Sequence, residues 1–166
     1  MLTASIRALS ADDWPLVASI ESATYGPLGL SEDPSVLRSR AGAGTSFVLS
    51  VGSSLAGYLL ALPYRYGRFP SLSEGSETCD SPDLHLHDMA IAAEHRGHGL
   101  GSRLAGHLFS AARAQGYARV SLVSVGGSGA FWTRHGFQPR PEVPAPAGYG
   151  PGATYMSRSL FQGTTP

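Results

Sequence analysis

The alternation of apolar and polar side chains changes period several times along the chain, and each change marks an element. Ser5 to Leu9 has the short alternation of an edge strand. From Ala11 to Ser22 the apolar residues Trp14, Val17, Ala18 and Ile20 recur at helical spacing, and Ser10 with Asp13 three residues on resembles a capping signal. Tyr25-Gly26-Pro27 stops that helix. Pro34 to Ala41 predicts a second, short helix with proline at its first position. Phe47 to Leu49 and Leu55 to Leu62 are β-rich, and Gly52-Ser53-Ser54 between them reads as a hairpin turn. Tyr64 to Pro82 has no period and is rich in Ser, Pro and Gly, as an insertion would be. Asp83 to Ala92 predicts a strand. Gly99 to Gln115 predicts a helix with Leu100, Leu104, Leu108, Ala111 and Ala112 on its apolar side. A strand at Arg119 to Val125, a short helix at Ser128 to His135 and a strand from Phe137 follow. A Pro/Gly-rich loop, Pro139 to Pro151, leads to a last strand at Ala153 to Leu160.

The order, β-α-α-β-β-β-α-β-α-β-β, predicts an α/β fold with a mixed sheet and helices on both faces. The 166 residues suit a single domain spanning 1–166. An apolar content of 42% with 14% charged residues is globular rather than disordered. Formal net charge is zero, so the chain lacks the basic field that nucleic acid binding needs. All twelve basic residues are Arg, which reads as genomic base composition. The one cysteine, Cys79, excludes an intrachain disulfide and a multi-cysteine metal site, so no metal is expected. It lies among acids with no flanking cation, where a thiolate is disfavoured. No apolar run approaches the roughly 18 residues of a membrane span. The N-terminus lacks a signal-peptide pattern, which makes the cytoplasm the default location.

The candidate chemistry sits between Leu84 and Leu108. A strand runs into Arg96-Gly97-His98-Gly99-Leu100-Gly101 and then into a helix. That arrangement leaves backbone N–H groups free at a helix start, where they and the helix dipole favour an anion such as pyrophosphate. Glycines allow close approach and positive φ. The spacing is not that of a dinucleotide fingerprint, and without Lys a Walker loop is excluded.

The stretch from Asp88 to Gly101 resembles the coenzyme-A-binding motif of the GNAT superfamily of N-acetyltransferases. Its pattern Gln/Arg-x-x-Gly-x-Gly/Ala is met by Arg96, Gly99 and Gly101. Phe131-Trp132, followed by Gly136-Phe137, is similar to the family's second conserved segment, and the element order fits over nearly the whole chain. The resemblance implies a GNAT-like mixed, splayed β-sheet flanked by helices on both faces, with acetyl-CoA as co-substrate. It implies that backbone groups of Met89, Ala90 and Ile91 pair with the pantetheine arm. Amides from Gly97 through His98, Gly99, Leu100 and Gly101 to Ser102 would hold the pyrophosphate. The acceptor would be a small-molecule or peptide amine, and a homodimer is compatible with the pattern. The alternative is a catalytically weak or inactive coenzyme-A-binding module acting as sensor or scaffold.

Acyl transfer to an amine needs a neutral nucleophile, and an alkylammonium with a pKa of ~10.4 is under about 1% neutral at pH 7. A base is therefore useful. His85 and His87 lie two apart and should share one face of the strand with Asp83, Met89 and Ile91, leaving Asp88 opposite. His85 occupies the place where related enzymes often carry an acid. His87 and Glu21 are the other candidate bases, against a purely structural histidine pair. The family often has Tyr where this chain has Trp132, and an indole is no usable acid near neutral pH. The acids Glu74, Glu77, Asp80 and Asp83 precede the catalytic strand with no Lys or Arg among them. Unbalanced, they would steer a cationic acceptor inward. Arg65 and Arg68 pull the other way.

Overall fold

The computed structural model describes residues 3–77, 79–144 and 147–161. Thr78 of the expected insertion and residues 145–146 of the expected loop lie outside that set. The strands are β1 (Ala4–Ala8), β2 (Phe47–Val51), β3 (Ser54–Pro63), β4 (Asp83–Ile91), β5 (Arg119–Ser124), β6 (Gln138–Pro139) and β7 (Thr154–Ser159). The helices are α1 (Trp14–Tyr25), α2 (Pro34–Arg38), α3 (Leu100–Ala114) and α4 (Gly129–Arg134). The capping signal is real: the Ser10 amide donates to the Asp13 carboxylate at 2.8 Å. Asp33 caps α2 by accepting from the Ser35 amide at 2.9 Å. Helix α1 runs three residues past the expected Ser22, because Gly26-Pro27-Leu28 continues it as a 3-10 turn. The break comes at Gly29, in the left-handed region at φ 71°. Tyr25 thus becomes a helical side chain rather than part of a stop.

The sheet order is β1-β2-β3-β4-β5-β7-β6. Neighbours pair antiparallel except β4 and β5, which run parallel. That parallel pairing lasts only for Asp83–Arg119, Leu84–Val120 and His85–Ser121. Beyond it β4 stays with β3 and β5 stays with β7, so the sheet opens into a V. One face packs Leu84, Leu86, Leu122 and Met156 against Leu104, Leu108 and Ala112 of α3 and Trp132 of α4. The other packs Val48, Tyr58, Leu60 and Ala90 against Trp14 and Val17 of α1 and Leu37 of α2.

Strand β4 does not keep strict alternation. Leu60 pairs with Asp88 but the next residue, Ala61, pairs with Leu86, so His87 is the extra residue of a β-bulge. Leu84 and Leu86 face α3, and after the bulge so do Met89 and Ile91. The expectation that Met89 and Ile91 share a face with the two histidines, with Asp88 opposite, is therefore corrected. One inserted residue shifts the parity, and Asp88 lies on the α1 side with His87.

Gly57 on β3 lets that strand approach the end of β4. A Cβ there would lie 2.6 Å from Ile91 Cδ1 and 3.0 Å from the Ala90 carbonyl oxygen. Gly57→Ala should cost about 1–3 kcal/mol. Gly26→Ala, whose Cβ meets nothing within 4 Å, should change stability by less than about 0.5 kcal/mol. Urea unfolding of the two variants checks the contrast.

Candidate active site

The turn between β4 and α3 is built for an anion. Gly97 and Gly99 adopt φ of 85° and 73°, which Cβ-bearing residues rarely do, and open space lies where their side chains would be. Gly99 is the N-cap of α3, and no side chain caps its first turn. The amides of Leu100, Gly101 and Ser102 precede the first intrahelical donor, Arg103, and point out of the helix end. The Ser102 hydroxyl lies 3.0 Å from His135 Nε2, tying the start of α3 to the end of α4. Gly101 sits where an added Cβ would be 3.6 Å from Met89 and Phe131. His98 is exposed on the turn.

From this turn a cavity of about 720 Å³ runs through the V between β4 and β5. Met89, Ala90 and Ile91 line one wall; Val123, Val125 and Trp132 line the other. Two carbonyls on the splayed edge of β4 already have partners. Met89 accepts from the Tyr25 hydroxyl at 2.8 Å, and Ile91 accepts from Arg96 Nε at 2.9 Å. Arg96 thus folds back onto the strand end and also reaches Thr24 at 3.3 Å. Trp132 is wedged between Phe131 and Phe137.

A model of the acetyltransferase (GNAT) family matches residues 4–137. The chain belongs to that family. Many solved structures share its fold, three of them as follows. N-acetylglutamate synthase from Neisseria gonorrhoeae, complexed with coenzyme A and N-acetyl-glutamate, is 19% identical with a TM-score of 0.73 over 96% of this chain. The match spans only 36% of that longer protein. Ard1 from Thermoplasma volcanium is 20% identical, with a TM-score of 0.72 over 96% of this chain and 99% of its own. The ribosomal-protein-S18-alanine N-acetyltransferase from Escherichia coli is 16% identical, with a TM-score of 0.72 over 98% of both chains. No curated protein sequence matches significantly. Acetyl-CoA is the co-substrate of this acetyltransferase family, and the free amides, open glycine turn and splayed strand edge all fit it. Among the described residues no cluster of His, Cys, Asp or Glu could hold a metal ion, and no helix is long and apolar enough to cross a membrane.

At this cavity the two histidines part company. His87 lines it; His85 does not and is 1% exposed, with its ring beneath Tyr64. Burial pushes His85 well below its ordinary pKa, and His87 and Arg40 push the same way. His87 Nε2 lies 2.5 Å from Glu32 Oε1. Glu32 Oε2 in turn takes Arg40 Nη2 at 2.5 Å, and Arg40 is fully buried. Burial alone would raise the Glu32 carboxyl, but His87 and Arg40 outweigh it and hold it below the usual range. An ionised Glu32 makes Nε2 the protonated nitrogen of a neutral His87, leaving Nδ1 as the basic one. Nδ1 of His87 has no partner among the described residues. Glu21 also lines the cavity, accepting from Ser31 Oγ at 2.6 Å and the Glu32 amide at 2.8 Å.

Among its described residues the Tyr64–Pro82 segment has no regular element, but it is pinned. Arg40 donates to the Ser71 carbonyl at 2.7 Å and to Ser76 Oγ, and the Tyr149 hydroxyl donates to the Pro70 carbonyl at 2.5 Å. Its Leu72 reaches the cavity, as an acceptor-site loop would. Of the four acids read as an unbalanced set, the structure pairs one with a cation and places another away from the main cavity. Asp83 is buried against Arg119 at 3.0 Å and Ser121, and Asp80 borders a separate, smaller cavity. The acidic side chains at the cavity are Glu21, Glu32 and Asp88, from α1, the loop before α2 and the residue after the bulge. Glu32 escaped the sequence reading, since nothing local links it to a histidine 55 positions away; Asp88 was read as facing away from the histidines and Tyr25 as part of a helix stop.

His85 carries a pH signature. Its folded pKa is depressed, so below about pH 6.5 the unfolded chain binds the extra proton and stability is lost as pH falls. Raised carboxyls at Asp83 and Asp88 act in the opposite sense over their own range, so a difference isolates the histidine. The melting temperature of His85→Asn relative to the parent should rise as pH is lowered from 7 to 5. A constant difference across that range would remove the assignment.

Proposed function

We propose that the protein transfers the acetyl group of acetyl-CoA directly to a primary amine in a ternary complex, and that the acceptor carries positive charge. The single observation carrying this reading is that one cavity joins the amide-rich turn at α3 to the His87–Glu32 pair. In this reading the amides from Gly97 to Ser102 hold the pyrophosphate, and the splayed edge of β4 at Met89, Ala90 and Ile91 aligns the pantetheine. His87 Nδ1 takes the proton of the attacking amine, while Glu32 holds the ring and Arg40 keeps Glu32 ionised. His85, buried one step deeper, orders the strand beneath His87. Around the acceptor end Glu21 and Glu32 face one buried guanidinium, Arg40, which is already paired with Glu32, and that excess favours a cation there. Trp132 in place of the usual Tyr, with Tyr25 and Arg96 on the strand carbonyls, supports a binding-only module as the second reading.

An amine screen followed by thiol release tests the proposal. A di- or polyamine or a basic peptide should turn over faster than an anionic amino acid of similar size. Acetyl-CoA should raise the melting temperature, and Gly99→Asp should abolish that shift by placing a carboxylate where phosphate approaches. Binding without thiol release from any amine would select the module instead.

His87→Gln keeps an N–H for Glu32 but cannot exchange a proton. It should lower kcat by roughly 10²–10⁴-fold while leaving acetyl-CoA affinity within about twofold. Activity near that of the parent would return the base role to His85 or Glu21.

A further inference from the structure

We propose that Asp88 is the acid that protonates the departing coenzyme A thiolate, the task that Trp132 cannot perform. The proposal rests on the acetyl-transfer reading above. Its first support is position. The pyrophosphate turn follows the C-terminal end of β4, and the strands rejoin at His85–Ser121. A pantetheine arm laid along the splayed edge must bring its thioester to rest between those limits. Asp88 lies in that interval, immediately before Met89, and lines the cavity that Trp132 closes from the other side.

The second support is an unfilled valence. The Asp88 residue is only 7% exposed. Its Oδ2 accepts the Tyr58 hydroxyl at 2.8 Å, whereas Oδ1 is buried with no partner among the described residues. A carboxyl oxygen in that state calls for a proton of its own or a donor from a ligand. Either suits an atom that exchanges a proton with bound substrate. Without the bulge, the same residue would not share this side of the sheet with His87.

The surroundings favour the protonated form. Burial dominates, and the carboxylates of Glu21 from α1 and Glu32 from the loop before α2 add to it. The hydroxyls of Tyr58 on β3 and Tyr25 on α1 oppose it, and Tyr149 and neutral His87 complete the neighbouring groups. The carboxyl is pushed up to about 8. That is close to the ~8.5 of a simple thiol, the match that general acid catalysis requires.

The step balances without a further reagent. The amine nitrogen bonds to the thioester carbon, the carbon–sulfur bond breaks, and the sulfur takes the Oδ1 proton. The nitrogen's surplus proton goes to His87 Nδ1. Amide and free thiol leave, and proton exchange between the adjacent His87 and Asp88 restores both.

The experiment is the pH profile of kcat for the intact protein, its Asp88→Asn variant and its Tyr58→Phe variant, with acetyl-CoA and the best amine from the screen. For the parent, kcat should fall as pH rises past about 8. Asp88→Asn should lose that alkaline limb and drop kcat roughly 10²-fold at neutral pH, with acetyl-CoA affinity nearly unchanged. Tyr58→Phe keeps the carboxyl but removes a bond that favours its ionised form, so the limb should move to higher pH. This second variant decides the matter if Asp88→Asn fails to fold. Three results overturn the proposal: an alkaline limb that persists in Asp88→Asn, kcat within threefold of the parent, or a limb unmoved in Tyr58→Phe. A parent rate that instead rises through pH 8, with the rise lost in Asp88→Asn, makes Asp88 a base and also overturns it. Acetyl transfer itself fails separately, as absent thiol release by the parent with every amine, and then the acid role falls with it.

Discussion

The parting of β4 from β5 after three residue pairs is the constraint on which the site depends. Each strand keeps a full-length antiparallel neighbour on its other side, β3 for β4 and β7 for β5, so the opening costs hydrogen bonds along one edge only. What it yields is a corridor walled by backbone. The glycine turn that follows β4 then lies at one mouth of that corridor, and the bulge at His87 lies near its apex. The bulge adds a second consequence. It aims two consecutive polar residues, His87 and Asp88, to one side, which a regular strand cannot do.

A second dependence runs through Arg40. A buried guanidinium is costly unless its donors are used. Here they reach Glu32, the Ser71 carbonyl and Ser76. Those partners come from the loop before α2 and from the irregular Tyr64–Pro82 segment. One side chain therefore fixes the carboxylate that orients His87 and also anchors the loop that supplies Leu72. The packing of Leu72 at the cavity and the position of Glu32 beside His87 depend on the same side chain.

Much of the scaffold was legible in the sequence because it is written in local periodicity. The helix from Leu100 to Ala114, the hairpin turning at Gly52 and the last strand fall within a residue or two of their expected ends. The glycine turn before α3 was legible because its physics is local too: three glycines and a helix start. The acceptor end was not. Asp88 was assigned to the wrong face because a bulge arises from the registry of β3 against β4, which no period within β4 reveals. Glu32 drew no expectation from the sequence, because its contact with His87 exists only once folding brings the two together. Asp83 looked like one of four free acids until Arg119, 36 positions on, neutralised it.

The hydrogen bonds from Tyr25 and Arg96 to the carbonyls of Met89 and Ile91 have a meaning beyond catalysis. A strand with an unpaired edge is an adhesive template that recruits any extended segment, including another copy of itself. The V makes such an edge inside the molecule and leaves it open to solvent. By occupying its acceptors with a phenol and a guanidinium, the chain keeps the edge from behaving as a sheet end. A short ligand with matching amides can still share those carbonyls, since each has a second lone pair. With those acceptors in use, the strip is a poor docking edge for a whole polypeptide.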